Sequence, residues 1–356
     1  MAWRARAPRR WRARLLAAAL GLLVGLLLAE GLARLAPGTG VEGLVYGAPE
    51  GVPPSAYKAD EALFQVPQPG WSGEVRGVEY DQTLRFDELG LRGAGLGPAP
   101  RALLLGDSFA LAAQVAEADT LAVRLGEALG LSVGNAGVDG YSTWQATGRY
   151  RQLAQAVQPS AVFLVFFLGN DLADNERFPM IRGQVYTPRP TSGAGAWHSA
   201  LLAYGRVAAR AWALTDEASP ERQRFQRELA PFLTSGKDLL QSQLAPTAAA
   251  LTELRDALAQ AGTPLMVALA PPAFALDPRR LERTLPLVGL EGPVEVDAPR
   301  AALAQLLDAL RVPTCDLGPA LSAGERPYFV FDGHWTAEGN RLAAEALAQC
   351  WRAQHP

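Results

Sequence analysis

The sequence predicts a three-layer α/β domain built on a five-stranded parallel sheet. From residue 102 onward, short apolar runs alternate with segments of helical length and composition. The runs are apolar throughout instead of at every second position, which is what a strand buried on both faces requires. A parallel sheet covered by helices on each side is the architecture that buries strands this way.

The elements follow in order. Strands are expected at 102–105, 131–133, 161–168, 264–270 and 312–315, with helices at 116–129, 143–157, 247–261, 301–310 and 337–353. Between residues 170 and 247 the rhythm breaks, with no further strand of the central sheet. A connection of that length has structure of its own, so residues 172–246 are expected to form an insertion, either a cap over the site or a packing appendage. Within it, 182–187 reads as a small hairpin and 199–214 as a helix. The aromatics and arginines near 197–212 allow a helix resting on a bilayer surface, but no sustained basic face supports that, and a cap helix is the expectation. Residues 38–100 are rich in Gly and Pro and read as a stalk followed by an irregular lead-in that packs on the main domain. The expected organisation is therefore a tail and anchor over 1–36, a stalk and lead-in over 37–100, and the α/β domain over 101–356.

Charge is distributed unevenly. Of the first fourteen residues six are arginine (Arg4, Arg6, Arg9, Arg10, Arg12 and Arg14), while the net charge of the chain is −3, so the folded body is acidic. That argues against a nucleic-acid partner, which needs a basic face. An uncharged apolar run from Leu15 to Ala29 follows, short for a span by itself; counted through Ala36 the segment reaches roughly the 20 residues that span a bilayer. Glu30 sits near its outer end, where Arg34 one turn on can pair with it. The arginines place the tail in the cytoplasm and everything after residue 36 outside, periplasmic or extracellular. A cleaved secretory signal is the alternative, but no Ala-x-Ala site follows the run, and the Arg9-Arg10 pair lacks the rest of a twin-arginine signal. Two cysteines, Cys315 and Cys350, suit that compartment as a disulfide or as two buried thiols. With only these and three histidines, no zinc-type ligand spacing is present, and no cofactor is called for.

In a parallel sheet, ligands collect at the carboxyl ends of the strands. Four polar blocks fall there: Gly106-Asp107-Ser108, Asn135-Ala-Gly137-Val-Asp139-Gly140, Gly169-Asn170-Asp171, and Asp332-Gly-His334-Trp335. Each alone is weak, but four in this order are a strong signal. Ser108 stands where a strand turns toward a helix, so its hydroxyl can enter a cleft while its N–H stays free to donate; the plain alternative is a helix N-cap. A serine hydroxyl needs a base. Of His198, His334 and His355, His334 is the candidate, with Asp332 to hold its other ring nitrogen. Asp332 could instead cap a loop.

These blocks resemble the SGNH (GDSL-type) hydrolase superfamily over residues 101–353 apart from the insertion. Membrane-anchored bacterial members are also similar in carrying a Gly-x-Arg-Gly segment before the Ser block, here Gly90-Leu-Arg-Gly93. The resemblance implies a flavodoxin-like sheet, a Ser108–His334–Asp332 site and an oxyanion hole formed by the Ser108 N–H, the Gly140 N–H and the Asn170 amide. Gly137 competes with Gly140 for the second donor. Asp107, Asp139 and Asp171 read as carboxylates that brace loop N–H groups.

One departure matters. Most of the superfamily separates the last Asp and His by two residues, whereas here Gly333 alone intervenes and Trp335 follows. That form is similar to polysaccharide O-acetyltransferases of the alginate type. The expected activity is a serine esterase acting on an acyl ester, acetyl included. The alternatives are an O-acyltransferase with an envelope or exopolysaccharide acceptor, and a silent protein that binds a glycan or a partner through the same cleft. Trp335 either stacks on sugar or covers the histidine, packing being the plainer use. Acyl chain length and oligomeric state have no sequence signal.

Overall fold

The computed structural model of the 356-residue chain describes residues 9–36, 52–93, 95–96, 101–184 and 199–355. Helix α1 (Arg9–Leu35) comes first, and its stretch Trp11–Leu35 is long and apolar enough to cross a membrane. Its leucines are exposed along the whole length. Glu30 pairs with Arg34 at 2.8 Å, as their spacing suggested.

The lead-in is more regular than expected. Strands β1 (Tyr57–Asp60) and β2 (Phe64–Pro67) form one antiparallel hairpin, and β3 (Ser72–Arg76) and β4 (Asp81–Arg85) form a second. These strands carry four or five residues with few buried apolar positions; in β4 only Leu84 is buried. An apolar-run criterion passes over such strands. Val75, Tyr80, Leu84 and Phe86 nevertheless form a core with Leu111, Val138 and Tyr141, so the lead-in is packed onto the main domain. Residues 37–51, the start of the expected stalk and lead-in, lie outside the described residues.

The main sheet contains β5 (Arg101–Leu105), β6 (Ser132–Asn135), β7 (Ala161–Phe167), β8 (Leu265–Ala270) and β9 (Thr314–Asp316). The order is β6-β5-β7-β8-β9 and every neighbouring pair is parallel, the doubly wound, flavodoxin-like arrangement. The helices after β5 are α2 (Ser108–Leu111), α3 (Leu121–Leu129), α4 (Thr143–Val157), α5 (Asp171–Ile181), α6 (Ala200–Ala213), α7 (Pro220–Leu229), α8 (Lys237–Gln260), α9 (Ala273–Leu276), α10 (Pro278–Thr284), α11 (Ala298–Ala309), α12 (Gly318–Ser322) and α13 (Ala337–Gln354).

Alternation across the strands builds two cores. Leu103, Leu105, Val162, Leu164, Val267 and Leu269 meet α4, α8 and α11 on one face. Ala102, Leu104, Phe163, Val165, Met266 and Ala268 meet α3 and α13 on the other. The domain is therefore a three-layer α/β/α sandwich. Helix α8 begins ten residues before the expected 247, running through Pro246, with Leu240 and Gln243 buried. Helix α5 packs against α8, and Asn175 Nδ2 donates to Thr247 Oγ1 at 3.3 Å. Residues 171–181 and 237–246 thus belong to the helical layer, and the departure from it is narrower than 172–246. It has a small core of its own, with Phe225, Leu229, Phe232, Phe274 and Leu281. Of the hairpin expected at 182–187, Arg182 and Gly183 form a turn after α5; residues 185–187 lie outside the described residues. Cys315 on β9 and Cys350 on α13 are joined in a disulfide with Cα atoms 5.8 Å apart.

Candidate active site

Strand β5 ends at Leu105 and the chain turns sharply into α2. Gly106 makes this possible: its φ is +143° and a side chain there would meet the Val165 carbonyl at 2.7 Å. Asp107 caps the turn, its Oδ1 accepting from Phe109 N at 2.9 Å. Ser108 is the first residue of α2, so no preceding turn accepts its N–H.

The last polar block arrives from 224 residues or more downstream. His334 Nε2 lies 2.8 Å from Ser108 Oγ, and His334 Nδ1 lies 2.5 Å from Asp332 Oδ1. The carboxylate fixes the tautomer, with Nδ1–H donating to Asp332 and Nε2 left to accept from the serine. Burial disfavours charge on both partners, but their mutual attraction outweighs it. Asp332 is held below the ordinary carboxylate range by the His334 imidazole and by hydrogen bonds from His334 and Tyr80. His334 is raised above the ordinary imidazole value, chiefly by Asp332 and then by Asp139 and Asp107. Asp107, Asp139 and Asp171 are all pushed upward, with burial the main cause in each.

Asn170 stands at the head of α5, across the cleft from His334. Its Nδ2 donates to Asp174 Oδ2 at 2.8 Å, which commits one of two amide hydrogens. The two glycines that compete for the second backbone donor are in different situations. Gly137 N already donates to Asn135 Oδ1 at 3.0 Å, and its Cα lies against the backbone of α2. Gly140, with φ +71°, is exposed, and its N–H has no acceptor among the described residues. It lines a neighbouring cavity with Asp139 and Gln65, whereas Ser108, His334 and Asn170 share one lining.

That shared cavity is about 240 Å³. Its apolar side is made by Phe109, Phe167 and Phe274, and α7 contributes Arg224, Phe225 and Glu228. Burial pushes Glu228 up to about 7 against the pull of Arg224, and Asp174 up to about 6 against Arg177 and Arg224. Trp335 is buried and packs edge-to-face on Phe109 at 5.1 Å, whose ring in turn lies 4.7 Å from the His334 imidazole, and it takes no part in the lining. His355 is exposed at the end of α13, and His198 lies outside the described residues.

Three residues of the lead-in reach this site without having been expected there. Glu79 accepts from Val330 N and Phe331 N at 2.7 Å each and from Asp332 N at 3.3 Å. Tyr80 donates its hydroxyl to Asp332 Oδ2 at 2.7 Å. Arg92, from the Gly90-Leu-Arg-Gly93 segment, is buried and donates to the carbonyls of Leu111, Ala112 and Val115 just beyond the serine. Only Arg92 had a sequence signal, its motif. In addition, the Gln114 amide lies 3.2 Å from His334 Nδ1.

Residues 232–356 match a family model described as SGNH hydrolase-like domain, acetyltransferase AlgX. The match covers the part of the chain that carries Asp332 and His334, and it bears out the resemblance to SGNH hydrolases expected from the sequence. At family level it supports chemistry on acyl esters, by hydrolysis or by acyl transfer. No curated protein matches the chain. Among solved structures, a psychrotrophic esterase from Pseudoalteromonas shares 12% identity, with 72% of this chain and 98% of that one covered and a TM-score of 0.38. A GDSL-like lipase from Bacteroides thetaiotaomicron shares 13%, covering 71% and 89%, with a TM-score of 0.38. An acetyl-xylooligosaccharide esterase from Geobacillus shares 13%, covering 72% and 95%, with a TM-score of 0.39.

Proposed function

We propose that the chain is a serine esterase, anchored by α1 with its α/β domain on the outer side of the membrane. It forms an acyl-enzyme on Ser108. The observation that carries this reading is the continuous hydrogen-bonded line from Ser108 Oγ through His334 to Asp332. His334 Nε2 takes the hydroxyl proton as Oγ attacks the ester carbonyl, and Asp332 stabilises the imidazolium that forms. The developing oxyanion receives hydrogen bonds from the Ser108 N–H and the uncommitted Asn170 amide hydrogen, with Gly140 the third donor if its loop closes toward the cleft. Collapse of the intermediate breaks the ester C–O bond, and the departing alcohol takes the proton from His334. The cavity is smaller than the roughly 300–1,000 Å³ of drug-sized sites, which suits a short acyl group such as acetyl. Helix α7 caps it.

In the second half-reaction His334 deprotonates the acceptor. Water makes the enzyme a hydrolase and a sugar hydroxyl makes it an O-acyltransferase. The transferase is the alternative reading, supported by the Asp332-Gly-His334-Trp335 form and the acetyltransferase family match. The test is turnover of short-chain aryl esters by the full-length chain in detergent micelles, with and without an acetylatable polysaccharide. Ser108→Ala is expected to lose roughly 10⁴-fold or more. Product acetylated on sugar identifies the transferase. A folded native chain no faster than Ser108→Ala on any ester would sink both enzymatic readings and leave a binding role.

A further inference from the structure

Helix α6 is apolar on its outward face as well as its inward one. Ala203, Val207 and the following Leu214 join a buried cluster with Phe225 and Leu281. On the opposite side Leu201, Leu202, Ala208, Ala209 and Trp212 are exposed, Trp212 at 78%. A continuous apolar stripe of this kind marks a surface that meets something other than water.

The start of α6 is tied to the membrane helix. Glu30 of α1 accepts from Ser199 Oγ at 2.7 Å, Ala200 N at 2.9 Å and Leu201 N at 3.1 Å, while also pairing with Arg34. A carboxylate on the first N–H groups of a helix both satisfies them and complements the helix dipole. This gives a reason for a charge inside an otherwise apolar span. Glu30 lies five residues before the end of α1 at Leu35, about 7.5 Å along the axis. That is the depth, about 5–10 Å into the headgroup and acyl boundary, at which interfacial helices bury their apolar faces.

We propose that α6 lies in the outer interface of the lipid bilayer, with Leu201, Leu202, Ala209 and Trp212 turned into lipid and Glu30 acting as the latch. The occupant is lipid because the stripe is continuous with α1, which packs against α6 and presents its own leucines outward. The inference rests on α1 being retained as an anchor. It holds the catalytic domain flat on the membrane, because Tyr204 of α6 packs edge-to-face at 4.9 Å on Phe331, the residue before Asp332. Esters carried at or near the membrane surface are then the substrates within reach.

The test uses the full-length chain, N-terminally tagged, in phosphatidylcholine–phosphatidylglycerol vesicles. Both native cysteines are in the disulfide, so a thiol-reactive fluorophore reports only on cysteines introduced as Leu202→Cys, Ala209→Cys or, on exposed α13, Glu345→Cys. Lipid bearing a nitroxide high on its acyl chain is expected to quench the labels at 202 and 209 about 3-fold more than the label at 345. Glu30→Leu should leave the chain in the vesicle and reduce quenching at both positions. The proposal is overturned if 209 is quenched no more than 345, or if 202 is quenched and 209 is not, since α6 would then stand away from the bilayer. Cross-linking between copies at Ala209→Cys without lipid quenching would assign the face to a second copy. Loss of the tag would overturn the anchor as well, whereas loss of quenching with the tag retained overturns this inference alone.

Discussion

The two halves of the candidate triad are held by different means. Ser108 follows β5 by three residues, and β5 is hydrogen-bonded to β6 on one side and β7 on the other. Its position is a property of the sheet. Asp332 and His334 sit in a stretch with only an isolated bridge, Tyr328 to Trp335, before α13 begins. Their position is set by side chains from the lead-in, where Glu79 gathers three backbone N–H groups and Tyr80 holds the free oxygen of Asp332. The proposed nucleophile is fixed by the sheet it follows, and the proposed base by a clamp that the lead-in contributes.

The comparison breaks most severely if Asp332 matters little. In Asp332→Asn, kcat/KM should fall by roughly 10³–10⁴, because an amide no longer enforces the productive tautomer. The pH profile should also change. His334 is raised above its ordinary value of 6.5 mainly by Asp332, and it must be neutral to act as a base. On the proposed mechanism, activity of the native chain should therefore fall as pH drops through a pKa above 6.5, and in the variant that limb should move to lower pH. Stability follows the linkage signs: the raised imidazole stabilises the fold below its unfolded pKa and loses that contribution as pH rises through the folded value. A variant with native activity and an unmoved limb would show that Asp332 only caps its loop.

The next test strikes the clamp. Glu79→Ala leaves three N–H groups of the Asp332 loop without their acceptor, at a cost of about 2–3 kcal/mol in unfolding free energy. Displacing the base by about 1 Å is expected to lower kcat roughly 10²-fold. Glu79→Gln, which keeps one acceptor oxygen, should recover part of both. If Glu79→Ala is destabilised yet keeps its kcat, the lead-in stabilises the fold without positioning the base.

The same contrast explains what could be read in the sequence. Strands 161–167 and 265–270 are unbroken apolar runs because both faces are buried, and that pattern survives without a structure. Ser108, Asn170, Asp332 and His334 were visible because they stand at the ends of such strands or in a compact block. Glu79 and Tyr80 were not, because nothing local distinguishes an acidic residue and a tyrosine in a hairpin turn from any solvated turn. Their meaning comes from contacts more than 250 residues away in sequence. Helix α8 is longer than its sequence suggests for a related reason: Pro246 is a local stop signal that packing of Leu240 and Gln243 overrides.

A smaller effect sharpens the division of labour within the clamp. Tyr80→Phe removes one hydrogen bond to a carboxylate that retains His334 and its own loop N–H. A loss of about 1–1.5 kcal/mol in transition-state stabilisation corresponds to roughly 10-fold in kcat with KM unchanged. An equal rise in KM would instead mean that Tyr80 shapes the substrate cleft.

The smallest expected effect on activity comes from the disulfide, although its effect on stability is large. Cys315 and Cys350 close a loop with a sequence separation of 35 that contains both Asp332 and His334. Chain-entropy reasoning gives such a bridge about 3–4 kcal/mol. Yet it ties β9 to α13 and touches neither triad residue, while Glu79 and Tyr80 act on the loop directly. Cys315→Ser/Cys350→Ser should therefore lower the melting temperature clearly and change kcat at 25 °C by less than about 2-fold, the separation expected of sites that share no partners. Combined with Tyr80→Phe, the losses in kcat should multiply independently. If opening the disulfide alone removes most of the activity from a chain still folded by circular dichroism, the covalent staple holds the base in place. The hairpin would then be a passenger, and the contrast between a scaffolded nucleophile and a clamped base would have to be redrawn around Cys315 and Cys350.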